Sequence, residues 1–190
     1  MNPKNNFFEL PIFTSDGQFV ARYSEKGLAS LNFPVGRASP RAANGRRRGN
    51  ESQMSAASNG SARDSSRRLL QTKIRAWHRT TETALKHVLA GRKPKTLPPL
   101  ELAGTEFQKS VWNALRKISP GKTKSYGEIA RAIGRPKAVR AVGGACGANP
   151  VPVLVPCHRV LAANQKLGGF SGGLDWKRKL LAREGIKQLL

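Results

Sequence analysis

The sequence predicts an α/β (α+β) protein in two parts: a small β-meander with one helix over residues 1–100, and a mostly helical unit with a helix-turn-helix over residues 101–190. Two observations carry this. In the first part, apolar runs alternate with the turn signals Thr14-Ser15-Asp16-Gly17 and Glu25-Lys26-Gly27. In the second, two capping boxes open apolar stripes of helical period, and glycine or proline closes each stripe.

Taken in order, Phe7–Phe13, Gln18–Tyr23 and Leu28–Phe33 are the strands of the meander. Residues 35–66 break the pattern. They are rich in Ser, Ala, Gly, Asn and Arg, and Met54 is the one large apolar residue after Val35. Such a segment cannot bury enough surface to offset its ordering entropy, so a disordered basic insert is expected. Its Arg46-Arg47-Arg48 run suits phosphate contact better than a localisation signal. Leu70, Ile74, Trp77, Thr81, Leu85 and Val88 then recur at helical spacing up to Gly91, which places Trp77 in the core and His78 and His87 at the surface. Prolines 94, 98 and 99 mark Lys93–Leu102 as a connection between the two parts.

Thr105-Glu106-Phe107-Gln108 caps a helix whose buried stripe is Phe107, Val111, Leu115 and Ile118, ended by Pro120-Gly121. Ser125-Tyr126-Gly127-Glu128 caps a short helix through Ile129, Ala130 and Ile133, stopped by Gly134. Pro136 is expected in the first turn of the next helix, which runs to about Gly147. The pair has helix-turn-helix organisation, with a purely structural helix pair as the competing account. Its second helix is nearly bald: Ala138, Ala141, Gly143, Gly144, Ala145, Gly147 and Ala148 dominate, and past Lys137 the only long polar side chain is Arg140. Major-groove reading uses several bidentate side chains, whereas a bald helix with a single Arg suits close approach to a minor groove. Packing of small residues against a neighbouring helix is the alternative.

Thirty-four Lys and Arg against eleven Asp and Glu give a formal net charge of +23, spread over both parts. This favours a polyanionic partner, most simply nucleic acid, without naming the task. No apolar run is long enough to span a membrane, and the opening MNPKNNFFELPIF lacks the basic-then-apolar pattern of a signal peptide, so an intracellular protein is expected. Cys146 and Cys157 make no disulfide framework and fit a reducing compartment. Together with His78, His87 and His158 they show no metal-ligand spacing, so neither metal nor cofactor is expected.

The chemistry concentrates in Pro156-Cys157-His158-Arg159-Val160, straight after the β-type run Val151–Val155. A thiol is nucleophilic as the thiolate, and His158 and Arg159 offer a base and a positive field. The competing account is a small inert hydrophobe after a buried strand. Downstream, Gly168–Gly173 surrounds Phe170 and Ser171 and suits a clamp of backbone N–H groups over a planar ligand. Leu180 and Leu181 mark the core face of a last helix from about Asp175, and Glu184 near its end is either solvated or orients a histidine.

The order of GTEFQKSVW, TKSYGEIARAIGRPKAVRAVGGACGANP, PCHRV, GGFSGG and KLLAREG, from about Gly104 to Gly185, resembles the O6-alkylguanine-DNA alkyltransferases, also called methylated-DNA–protein-cysteine methyltransferases. The preceding part is similar in outline only, and there the resemblance implies a ribonuclease-H-like fold. It also implies a monomer that binds the minor groove of double-stranded DNA containing O6-alkylguanine, in the cytoplasm or nucleoid, or in the nucleus of a eukaryote. Cys157 then accepts the alkyl group of a flipped guanine, or of thymine O4, once per molecule. His158, bridged by water, takes the thiol proton, and Glu184 orients it. Asn149 braces the turn that carries Cys157, Tyr126 donates to a guanine ring nitrogen, and Arg140 fills the gap in the duplex. The Ser171 N–H with the Cys157 and Val160 carbonyls reads the guanine edge, Phe170 and Gly172 line the pocket, and Ser125, Lys137 and Ala138 belong to the same substrate and DNA surface.

Two other activities fit parts of this pattern. An alkyltransferase-like lesion binder flips the base without chemistry, but such proteins replace the nucleophile that Cys157 supplies. A helix-turn-helix transcription regulator reads sequence, against which the bald helix speaks. Gln165 follows Asn164 where the family commonly has Gly, which implies a reshaped turn. No N-terminal Cys or His cluster exists to carry over the zinc site or second acceptor cysteine of some relatives.

Overall fold

Alternation along three successive strands puts every second side chain under one face. β1 (Phe8–Thr14), β2 (Gly17–Tyr23) and β3 (Leu28–Asn32) form an antiparallel sheet in that order, with Phe8 opposite Tyr23 and Ala21 opposite Leu31. The period of two buries Phe19, Ala21 and Tyr23 on β2 and Ile12 on β1, while Leu28 and Leu31 are both buried across an irregularity in the pairing of β2 with β3 at Arg22 and Tyr23. Pro11 is tolerated because β1 is an edge strand. The computed structural model describes residues 7–34 and 61–186, so most of the expected insert, residues 35–60, lies outside the described residues.

Its last residues, 61–66, are a correction: they belong to α1 (Ser61–Leu89), not to a disordered segment. No Gly or Pro interrupts residues 61–90, and a helix anchored on the core at Ile74, Ala84, Leu85 and Val88 propagates backwards at one hydrogen bond per residue. The first turns carry no apolar stripe, so periodicity is silent there. His78, expected at the surface, is half-buried with Nδ1 3.2 Å from the Tyr23 hydroxyl.

The second half contributes α2 (Glu106–Leu115), α3 (Tyr126–Ala132), α4 (Val139–Gly147) and α5 (Leu174–Arg183). Both capping boxes form. The Gln108 N–H donates to Thr105 Oγ1 at 3.2 Å and the Thr105 N–H to Gln108 Oε1 at 2.9 Å. The Glu128 N–H donates to Ser125 Oγ at 3.1 Å and the Ser125 N–H to Glu128 Oε2 at 2.7 Å. Pro136 is not in a helical turn; the Ala138 N–H bonds the Arg135 carbonyl at 2.9 Å around Pro136 and Lys137, and α4 starts at Val139. The run Val151–Val155 is not a strand either. It is a buried turn closed by the Val155 N–H on the Val151 carbonyl at 2.9 Å, with Val153 at φ +73°, a costly conformation for a β-branched residue. A short apolar run does not distinguish a buried strand from a buried turn, and Pro152 lacks the N–H that a ladder needs.

One core runs through both halves, from Ile12 to Leu180. Backbone bonds stitch them: the Leu28 N–H to the Pro99 carbonyl at 2.8 Å, the Glu101 N–H to the Leu28 carbonyl at 2.9 Å, and the Leu31 N–H to the Pro150 carbonyl at 2.9 Å, next to Asn149. The mixed α/β fold is as expected, while the meander and α1 do not by themselves show the ribonuclease-H-like detail. No helix among the described residues is long and apolar enough to cross a membrane.

Asp16, in the β1–β2 turn, joins the halves by charge. Its side chain is 3% exposed and meets Arg183 at 2.5 and 2.9 Å and Lys179 at 2.6 Å. The Arg183 hydrogen bonds hold its carboxyl at about 2, below the ordinary 3.8. A carboxyl depressed in the folded state stabilises above its unfolded pKa, and the gain is lost as pH falls through the folded value. Asp16→Asn is therefore expected to cost about 2 kcal/mol at neutral pH. In denaturant titrations across pH, the difference from the parent should close between about pH 4 and about pH 2.

Candidate active site

Short ladders bring the site together. β4 (Lys124–Ser125) runs parallel to β5 (Val160–Leu161), Lys124 opposite Val160, which sets Tyr126 beside the 3-10 turn Cys157–Arg159. Cys157 is 4% exposed. Asn149 Nδ2 donates to Cys157 Sγ at 3.1 Å and to the Val155 carbonyl at 2.8 Å, while the Val151 N–H donates to Asn149 Oδ1 at 3.0 Å. One side chain thus braces the strained turn and touches the thiol. Burial pushes the Cys157 thiol up, opposed by the Asn149 hydrogen bond and the charge of Lys177.

His158 is fully buried, with Nε2 3.1 Å from Glu184 Oε1. Its Nδ1 has no hydrogen-bond partner among the described residues, so this nitrogen is left to take a proton. Burial lowers the His158 pKa, partly offset by Glu184, and the ring rests neutral. The Glu184 side chain is 1% exposed. Burial alone raises its carboxyl, but the hydrogen bonds from His158 and Arg159 outweigh it and hold the group at about 2. Arg159 Nε and Nη2 grip Glu184 at 2.8–3.1 Å, and Nη1 donates to the Ile118 carbonyl at 2.6 Å. The positive field that the sequence assigns to the thiol is spent on Glu184 instead.

Tyr126 is half-buried between α4 and the glycine loop: a Cβ at Gly168 would lie 3.0 Å from its hydroxyl and one at Gly143 4.0 Å from its ring. Burial raises its pKa. Phe170 meets the His158 ring edge-on at 6.4 Å. The Val160 carbonyl faces Lys177, and Ser171 is exposed. On α4, Val142, Ala145 and Cys146 point into the core, and Trp112 Nε1 donates to the Ala145 carbonyl at 2.8 Å. A Cβ at Gly144 or Gly147 would meet nothing within 4 Å, so the glycine face is open rather than packed. Lys137 and Arg140 are exposed, and Ala138 is the half-buried N-cap residue of α4. Ser125 caps α3, with Oγ engaged by Glu128. The structure therefore gathers Cys157, His158, Glu184, Asn149, Tyr126, Val160 and Phe170, and leaves Lys137, Arg140 and Ser171 on the surface. Among the described residues no three His, Cys, Asp or Glu side chains cluster as metal ligands.

The family model described as "6-O-methylguanine DNA methyltransferase, DNA binding domain" matches residues 106–186. The methylated-DNA–protein-cysteine methyltransferase of Methanosarcina acetivorans is 62% identical over 82 residues, 43% of this chain and 53% of that relative. The Haemophilus influenzae protein of the same name is 53% identical over 88 residues, 46% of this chain and 49% of its own. The matches thus span about half the length of these curated relatives. Mycobacterium tuberculosis OGT, solved in complex with DNA, superposes with a TM-score of 0.66 at 31% identity over 94% of this chain and 93% of that one. The chain belongs to the methylated-DNA–protein-cysteine methyltransferase family. The Pyrococcus kodakaraensis O6-methylguanine-DNA methyltransferase, 20% identical with a TM-score of 0.55, shares the fold.

One feature of this family member has only a weak signal in its sequence. Lys177 is fully buried, and its ammonium donates to the carbonyls of Val160 at 2.6 Å, Leu167, and Gly169 at 3.5 Å. It ties β5 to the glycine loop. Burial lowers its pKa to about 8, leaving it charged at neutral pH. The signal was its place on the face of Leu180, Leu181 and Glu184, at helical spacing. At Gln165, where the sequence departs from the family's usual glycine, the backbone sits in the left-handed region at φ +58°, with Asn164 before it at φ +56°, a conformation that glycine adopts without strain.

Proposed function

We propose that this protein removes alkyl groups from guanine O6, and from thymine O4, in double-stranded DNA by a single transfer to Cys157, acting as a monomer. The observation that carries the reading is the buried Cys157 thiol held by Asn149, next to a neutral His158 whose Nε2 is paired with Glu184 and whose Nδ1 is unpartnered. His158 Nδ1 takes the thiol proton through a bridging water, and the Nε2–H donates to Glu184, which stabilises the imidazolium. Asn149 Nδ2 keeps its hydrogen bond to the thiolate. The sulfur attacks the alkyl carbon, a C–S bond forms as the C–O6 bond breaks, and the electron pair returns to the guanine ring. Tyr126 donates to a ring nitrogen as that charge develops.

The Cys157 carbonyl already accepts from the Val160 N–H, and the Val160 carbonyl from Lys177. Each keeps a second lone pair for the guanine edge. The open glycine face of α4 suits backbone approach to a minor groove, and Arg140 at its start fills the space of the flipped nucleotide. Residues 101–190 thus hold the acceptor and the DNA surface, with residues 1–100 as their support. The thioether product has no group here to cleave it, so each molecule acts once.

Incubation with duplex DNA containing O6-methylguanine should add one methyl group per protein, and peptide mapping should find it on Cys157 alone. Lesion binding without a mass gain would mean a non-enzymatic lesion binder, and tight binding to one unmodified sequence a transcription regulator. Methylation of Cys146, whose thiol burial pushes up to about 12, would overturn the assignment of the acceptor.

A further inference from the structure

The glycine loop is fastened unevenly. Its first half is pinned by the Lys177 ammonium on the Leu167 and Gly169 carbonyls. Its second half, Phe170 to Gly172, has one backbone bond inside the loop, from the Gly173 N–H to the Phe170 carbonyl at 3.1 Å. No hydrogen bond joins those three residues to another element among the described residues. Gly168 at φ +66° and Gly173 at φ +88° bound it with left-handed glycines. What stands behind this half is an aromatic side chain of the other half of the protein. Phe33, just past β3, lies so close to Gly172 that a Cβ there would fall 2.6–2.9 Å from its ring. The same ring packs edge-on against Phe170 at 5.6 Å and tilted against Trp176 at 5.1 Å, with Phe19 behind it at 5.8 Å. Phe170 in turn meets His158.

We infer that Phe33 is a specificity-determining residue: wedged behind Gly172, it holds the loop forward over Cys157 and so limits the size of alkyl group that fits. The inference rests on the alkyl-transfer reading above. Phe33 touches neither the substrate nor the reacting atoms; it acts through the position of Phe170 and Ser171. Removing its ring opens space into which the unfastened half of the loop recedes. Methyl transfer then loses the contacts that hold the base, while a benzyl group gains room.

The test compares single-turnover rates on duplex DNA carrying O6-methylguanine or O6-benzylguanine, and the ratio cancels any loss of folded protein. Phe33→Ala should raise the benzyl-to-methyl ratio by about tenfold, the scale set by a few apolar contacts in a pocket. Phe33→Leu, which keeps most of the bulk, should stay near the parent ratio and guards against misfolding of the smaller variant. Gly172→Ala should impair both substrates in the parent, where the new methyl group meets Phe33. In the Phe33→Ala background it should be tolerated and move the ratio back. An unchanged ratio in Phe33→Ala, or a Gly172→Ala penalty of the same size in both backgrounds, overturns the inference. If the parent transfers neither group, it is the alkyl-transfer reading that fails.

Discussion

Glu184→Gln is expected to lose about 3–5 kcal/mol of stability, because it leaves the Arg159 guanidinium buried without its counter-charge. Arg159 has a 7% exposed side chain, three contacts to the Glu184 oxygens and one to the Ile118 carbonyl, so it cannot swing out to water without breaking the turn that carries Cys157. The same substitution removes the group that raises the His158 pKa and stabilises its protonated form. Transfer to free O6-benzylguanine, which needs no DNA binding, should slow by about 10–100-fold, the worth of one charge-assisted hydrogen bond. The rate is to be read below the melting transition, so that stability and chemistry are separated. The parent's pH profile has the matching sign. Glu184 is held at about 2, so its contribution to stability is full above the ordinary carboxylate value of 4.5 and fades as pH falls toward about 2. His158 has a depressed pKa, so below the ordinary 6.5 the unfolded chain takes up the proton first and stability begins to fall there. A Glu184→Gln protein as stable as the parent would show that Arg159 does not depend on the pair.

What the sequence showed and what it hid divide along physical lines. Cys157 and His158 are legible as a thiol beside a base in one pentapeptide, whereas the roles of Asn149 and Glu184 rest on the resemblance to the family. The capping boxes at Thr105 and Ser125 were legible because both halves of each bond lie within four residues. The aim of Arg159 was not, since it depends on the pitch of a three-residue 3-10 turn that the sequence does not announce. Lys177 is hidden because a lysine on a helix is nearly always solvated, and only tertiary packing buries this one. The turn at Val151–Val155 is hidden because five apolar residues look alike in a buried strand and a buried turn. The sequence puts Phe33 at the end of the third strand, one residue beyond where β3 stops, and hides it as neighbour of Gly172, a contact made between the two halves of the chain.

Arg140→Ala is expected to lose about 30–100-fold in repair of duplex DNA while reacting normally with free O6-benzylguanine. Holding a base outside the stack costs a few kcal/mol, and the side chain that occupies its place recovers part of that cost. The free base needs no such help. Arg140 is exposed in the first turn of α4, on a helix whose Gly144 and Gly147 open onto empty space, so its removal disturbs no packing. Gly144 offers an independent check on the same face. Gly144→Ala replaces a helical glycine and should stabilise the fold by about 0.5–1 kcal/mol. If the backbone of α4 sits close to DNA, that more stable protein should nevertheless bind and repair duplex less well, with its free-base rate unchanged. Equal losses on duplex and free base for Arg140→Ala would remove it from the DNA surface. Undiminished duplex repair by Gly144→Ala would show that the glycine face does not approach the groove.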